Sequence, residues 1–245
     1  MVNKPNLSLV IDRFQAEQQR QRDLYNSLRA VATNDAMREQ SCNLVMVTAR
    51  DWERFLSDWH IAAVARDSTT FSNTLTDHLS KAVTKYGNER DTPQLSVFSP
   101  TVHVPAHPTL SDIASALDGQ GRNLPLSTKK ARKKFADAYL AAPYASKHEE
   151  LADEETLLLL DVLLSVRNVI AHRSRSSLEV LNAKVTEASK SAHPDVGNLG
   201  RDKNRVSPSG VGSYLDSAVF SPTWEGVSRA LLLSLKITEL AERLR

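Results

Sequence analysis

From Leu157 to Val166 the chain is almost wholly apolar, and it continues as Arg167-Asn168-Val169-Ile170-Ala171-His172-Arg173. A run this apolar with helical spacing has to be the buried axis of a helical core. The polar groups set into it need water, a partner or a purpose, because burying them unpaired costs free energy. With each residue turning about 100°, Glu154, Asp161, Ser165, Asn168, His172 and Arg175 fall within roughly 40° of one line. Leu158 to Leu160, Val162, Leu163, Leu164, Val166, Val169 and Ile170 cover the rest of the circumference. The pattern predicts one narrow polar stripe on an otherwise buried helix.

Within that stripe Asn168 and His172 stand four residues apart, so the amide can reach the imidazole and fix its tautomer and ring angle. Arg167 lies five residues before His172, about 140° round the helix. In a straight helix the two do not share a face. Three solutions are open: the Arg stem wraps back to the stripe, the helix distorts near His172, or a second subunit completes the site. Arg and His together suffice for metal-free phosphodiester chemistry, the one holding phosphate charge and the other moving protons near neutral pH. The bland alternative is the solvent face of an amphipathic helix, with His172 and Arg175 near its C-terminus.

The remaining pattern is helical nearly throughout. Apolar spacing predicts helices over Leu7–Arg29, Cys42–Arg66 and from a Ser68-Thr69-Thr70 cap to about Tyr86, ending at Gly87. In the first of these Gln15–Asp23 is polar apart from Ala16, which predicts a partly solvated helix. Pro93, Pro100, Pro105 and Pro108 make Gly87–Pro108 irregular, with room for a short extended piece at Leu95–Phe98. Further helices are expected at Thr109–Leu117, capped by Thr109 or Ser111, at Thr128 to about Ala142, at His148 to about Arg173 and at Leu178–Ala188. Ser189–Gly212 is rich in Pro and Gly and poor in bulky apolar residues, so a long mobile loop is expected over 189–212. Ser221-Pro222 is read as the cap and first turn of a last helix, Trp224–Arg245. No repeat or domain boundary shows, and the expectation is one all-α domain spanning 1–245.

Composition narrows the function classes. A formal charge of +2 is too small to draw nucleic acid by bulk attraction, so any such footprint must be local. The single Cys42 excludes an intrachain disulfide and a Cys-based zinc site, and fits a reducing compartment. No apolar run reaches membrane-spanning length, so a cytoplasmic protein without membrane contact is expected. His103-x3-His107 has Pro105 between its histidines and no further ligand at useful spacing, so no metal and no cofactor is expected. Phosphate-binding Gly loops and nucleophile elbows are absent. Trp52 and Trp59, two turns apart, are expected in the core.

Arg167-Asn168-x-x-Ala171-His172, after a Leu-rich helix, resembles the Arg-x(4–6)-His signature of the HEPN superfamily, whose active members are metal-independent RNases. Trp52-Glu53-Arg54-Phe55-Leu56 and Thr109–Leu126, with Gly121-Arg122-Asn123-Leu124, are similar to the branch related to RiboL-PSP HEPN proteins. The likeness covers roughly residues 44–181. It implies an up-and-down helical bundle of HEPN type, here with extra terminal helices and two long loops. It also implies a homodimer whose signature helices meet in a composite cleft, and attack of an RNA 2′-OH on the adjacent phosphorus to leave 2′,3′-cyclic phosphate ends. In that scheme His172 is the general acid or base and Arg167 stabilises phosphoryl charge. Asn168 orients His172 or binds a phosphate oxygen, and Glu53, Ser165 and Asp161 stand behind them. The resemblance further suggests a bacterial defence or toxin effector with an antitoxin or regulatory partner.

Lys129, Lys130, Lys133 and Lys134, with Arg132 among them, spread cations over two turns and are candidate RNA contacts, or else a solvated helix face. Arg173 and Arg175, followed by Arg201, Lys203 and Arg205, would lengthen a basic track. Two other functions stay open: a non-catalytic HEPN-like module binding RNA or nucleotides, and a protein-interaction bundle in which Arg167 and His172 only close a structural network.

Overall fold

A computed structural model describes residues 4–88, 104–105, 107–118, 123–124, 126, 128–191, 193–197, 205–207, 209–219 and 221–245, with backbone alone for 84–88. Within these the protein is all-α. Its helices are α1 (Leu7–Arg29), α2 (Asn34–Arg66), α3 (Thr69–Asn88), α4 (Leu110–Leu117), α5 (Lys129–Tyr139) and α6 (Ala142–Glu149). They are followed by α7 (Glu154–His172), α8 (Arg175–Ala188), α9 (Pro194–Gly197), α10 (Val211–Asp216) and α11 (Arg229–Glu242). The extended piece expected at Leu95–Phe98, His103, Gly119–Arg122, Arg201 and Lys203 fall outside the described residues. The described residues gather into two compact units, one of Met1–Leu7 with Leu56–His148, the other of Ser8–Phe55 with Glu149–Arg245. One crossing lies inside the continuous helix α2, where no composition change marks it.

The first unit packs α3 on α5. Thr74 Oγ1 donates to the Ala138 carbonyl at 2.6 Å, and the Phe71 and Tyr139 rings lie 6.0 Å apart. Thr109 caps α4 as the sequence suggests: its hydroxyl accepts from Asp112 N, and the Asp112 carboxylate accepts from Thr109 N. Ser57 Oγ accepts from Leu124 N at 2.8 Å and ties the following segment to α2.

In the second unit α1, α2 and α11 meet through apolar and polar contacts. Phe14 stacks on Phe55 at 4.6 Å and meets Trp52 edge-on at 6.0 Å. The polar middle of α1 is only partly solvated, and its inward side is a hydrogen-bonded seam. Buried Gln18 accepts from Thr48 Oγ1 at 3.0 Å and from Ser234 Oγ at 3.3 Å, and buried Arg22 donates to Thr238 Oγ1 at 2.8 Å. Tyr25 OH bridges Ser41 Oγ and Ser228 Oγ at 2.9 and 3.0 Å.

Several helix boundaries differ from the sequence expectation: α2 begins at Asn34, eight residues before Cys42, and α8 begins at Arg175 rather than Leu178. The segment from His148 to Arg173 is two helices, because Asp153 takes extended backbone (φ −64°, ψ 152°) and caps Thr156 N at 2.7 Å. Short polar side chains favour that cap over a helix interior. The last helix starts at Arg229 with Ser228 as its cap, after a single 3-10 turn at Pro222–Trp224 that Ser221 does not cap through its side chain. Among the described residues of 189–212 the expected continuous loop is interrupted by a helical turn. This turn is α9, whose Val196 is fully buried, and Tyr214 OH donates to the Val196 carbonyl at 2.8 Å.

Asp153 also receives Arg243 Nη2 at 2.9 Å, and Arg243 Nη1 donates to Thr156 Oγ1 at 2.7 Å. Partial burial works against the Asp153 charge, but the Thr156 and Arg243 hydrogen bonds outweigh it and hold the carboxyl down at about 2. Its stabilising effect is therefore complete above the usual carboxylate range and is lost as pH falls towards 2. Asp153→Ala should cost about 1 kcal/mol at neutral pH, as caps of this kind do, measured by urea denaturation. At pH 2 the difference should shrink.

Candidate active site

Helix α7 is the structural axis that its sequence suggests. Leu158, Leu159, Leu160, Val162, Leu163, Val166 and Val169 are all buried. Its helical geometry runs to His172 without a break, and Arg173 then closes it in the left-handed region at φ 49°, ψ 28°. Ser174 caps α8 by accepting from Ser177 N at 3.1 Å. The polar stripe therefore ends at His172. Arg175 belongs to α8 and pairs with Glu179 at 2.9 Å, so it does not extend the stripe.

Arg167 reaches the stripe only at Asn168, and the helix is not distorted near His172. Its guanidinium turns to α2, where Nη2 donates to the Glu53 carboxylate, while Nη1 donates to Asn168 Oδ1 at 3.3 Å. Both partners of the ion pair are about a third exposed, 31% for Arg167 and 30% for Glu53, so the site is open to solvent. Asn168 thus serves Arg167 here, and among the described residues nothing hydrogen-bonds to the His172 ring. His172 stands exposed at the helix end, about one and a half turns beyond Arg167. Arg173 follows it on the side of Cys42 and is close enough to act on the thiol. Burial first and Glu39 second push the thiol up, against the pull of Arg173. A thiol raised in this way is a poor nucleophile at neutral pH.

Two of the residues expected behind the site are placed elsewhere. Buried Ser165 turns back to donate to the Val162 carbonyl at 2.9 Å. Asp161 holds Lys184 of α8 at 2.9 Å, and this contact leads the causes that raise the lysine's proton affinity. The sequence pattern put both on the stripe but carried no information about what α8 would offer.

Lys129, Lys130, Lys133 and Lys134 are exposed on α5, whereas Arg132 between them is buried and leaves the cationic face. Lys130, Lys133 and Lys134 line a shallow groove with Asp137 and Ala138, and Lys133 lies 3.3 Å from Asp137. Trp52 and Trp59 are both buried, as expected. The influence of Arg173 on Cys42, beside that of Glu39, was not read from the sequence. Only the α2–α7 pairing brings Arg173 to them, although the spacing of Cys42 from Glu53 along one helix was visible.

Among the described residues no group of three His, Cys, Asp or Glu side chains is placed to hold a metal, and no helix is long and apolar enough to cross a membrane. The left-handed backbone at Arg173 strains a residue that carries a Cβ. Arg173→Gly should therefore leave thermal stability unchanged or raise it by up to about 1 kcal/mol. Compared with protein families, with curated proteins and with solved structures, the chain finds no match.

Proposed function

We propose that this protein is a metal-independent endoribonuclease of HEPN type, working in the cytoplasm as a homodimer. The supporting observation is the junction of Glu53, Arg167 and Asn168 on one exposed edge of α7, with unencumbered His172 at the end of the same helix. Arg167 is held by a carboxylate and an amide while a third of its side chain stays open, so it can receive a phosphate without first being ordered. His172 accepts the proton of an RNA 2′-OH as the oxygen attacks the adjacent phosphorus. The P–O5′ bond breaks, the leaving oxygen takes a proton, and the products carry a 2′,3′-cyclic phosphate and a 5′-OH. Arg167 neutralises charge growing on the non-bridging oxygens. Each chain supplies one His172, and two chains side by side supply the base and the acid together. DNA lacks the 2′-hydroxyl and is not cut. Lys129, Lys130, Lys133, Lys134, Arg173 and Arg175 contribute phosphate contacts, and a toxin or defence role would place an antitoxin among its partners.

A structural bundle is the second reading, favoured by Glu53 already occupying one edge of Arg167. The two differ in what Arg167→Ala does. Glu53 keeps access to water, so loss of a pair this exposed should cost less than about 1 kcal/mol. RNA cleavage, in contrast, should fall by about a hundredfold to a thousandfold. Melting curves and single-turnover cleavage of a mixed RNA pool measure both. A variant that unfolds would favour the structural bundle.

A further inference from the structure

The first unit contains a buried polar cluster that the proposed chemistry does not use. His60 of α2 is completely buried and His148 of α6 is 4% exposed, with their rings 5.0 Å apart and inclined by 70°. Trp59 and Phe135 pack edge-on against His60 at 5.2 and 5.1 Å. His60 Nδ1 lies 2.6 Å from the Leu56 carbonyl, which can only accept, so Nδ1 carries the proton and Nε2 is a bare lone pair. That Nε2 and the Nε2 of His148 are both buried, and neither has a hydrogen-bond partner among the described residues.

The charges acting on the pair come from α5. Buried Arg132 repels a proton on either ring, and exposed Asp137 attracts one on His148 more weakly. From α2 the Leu56 carbonyl favours a proton on His60.

We infer that His60 and His148 form an acid-sensitive latch: uncharged, they let α6 seat on α2 and α5, and a proton on either ring, lacking an acceptor, drives α6 away. Burial is the main reason that both rings resist protonation. It pushes His60 down to about 3, with His148 and Arg132 adding repulsion, and His148 down to about 4, with Arg132 adding. Because these folded values lie below the ordinary histidine value, the latch is at full strength above about pH 6.5 and weakens as pH falls below it. Each histidine released by opening makes the open form up to about tenfold more populated per pH unit in that range. Carboxylates depressed in the folded protein, such as Asp153, act only at lower pH. The interval from pH 6.5 to 5.0 therefore isolates histidines.

Native-state hydrogen exchange of the intact protein, corrected for the pH dependence of intrinsic exchange, tests the latch. Between pH 6.5 and 5.0 the opening constant of amides in α6 should rise by about 15-fold if one ring is released and by about 250-fold if both are. His148→Gln, which cannot titrate, should flatten that rise to what His60 alone supplies. An unchanged opening constant in the wild type, or an unchanged slope in the variant, would overturn the inference. Should the variant fail to fold, the wild-type imidazole resonances decide. Both rings must stay neutral in the folded protein down to pH 5, and a ring titrating near 6.5 would contradict the latch.

Discussion

His172→Ala should give a protein that melts within about a degree of the wild type and cleaves RNA at least about a hundredfold more slowly, the usual contribution of a positioned acid or base. The two halves of this expectation have separate causes. His172 is exposed at the last position of α7, and no described residue hydrogen-bonds to its ring, so truncation leaves no cavity and strands no buried polar group. The activity loss follows from its being the one imidazole of the Arg167–His172 run, the side chain that the proposed chemistry uses as general acid or base. If the two subunits of a dimer supply one histidine each, mixing His172→Ala with wild type should lower activity more steeply than the wild-type fraction. Cleavage rates across mixing ratios read this directly. Equal activity of variant and wild type would remove His172 from the chemistry.

Gly197→Ala should be strongly destabilising, by about 1–3 kcal/mol as over-packing against rigid neighbours usually is. A Cβ built at Gly197 would lie 2.2 Å from the Ser189 backbone nitrogen and 2.6 Å from the Val185 carbonyl oxygen. All the close atoms are backbone, so no side-chain rotation relieves the clash, and α9 must move off the end of α8. In a protein of this size such a loss lowers the melting temperature by several degrees. A shift below one degree would mean that this segment is loose in solution and that buried Val196 contributes little.

Much of the fold was readable because it rests on local signals. The apolar periodicity of α7 and the Thr109–Asp112 capping pair each act within a turn or two of sequence. The break before α7 rests on Asp153, a residue type that favours a cap, but helical spacing on both sides masked it, and its further partner Arg243 lies ninety residues later. The identity of the candidate site residues was likewise visible, but their pairing was not. An arginine set about 140° from His172 can turn either way, and Glu53 on α2 draws it. Asp161 and Ser165 share the stripe by angle, yet one answers to Lys184 of α8 and the other to its own helix. His60 and His148 gave no signal, since one sits among apolar residues and the other among charged ones, and nothing local says that the two rings pack together.

The central claim is that this chain cuts RNA by internal transfer, without a metal. The most direct measurement is to incubate the purified protein with a mixed RNA pool in excess EDTA, beside an otherwise identical 2′-deoxy substrate, and to determine the chemistry of the new ends. The expected result is 2′,3′-cyclic phosphate and 5′-hydroxyl ends on RNA, an intact deoxy substrate, and loss of both new ends with His172→Ala. Cleavage that stops in EDTA, or that leaves 5′-phosphate ends, would contradict it.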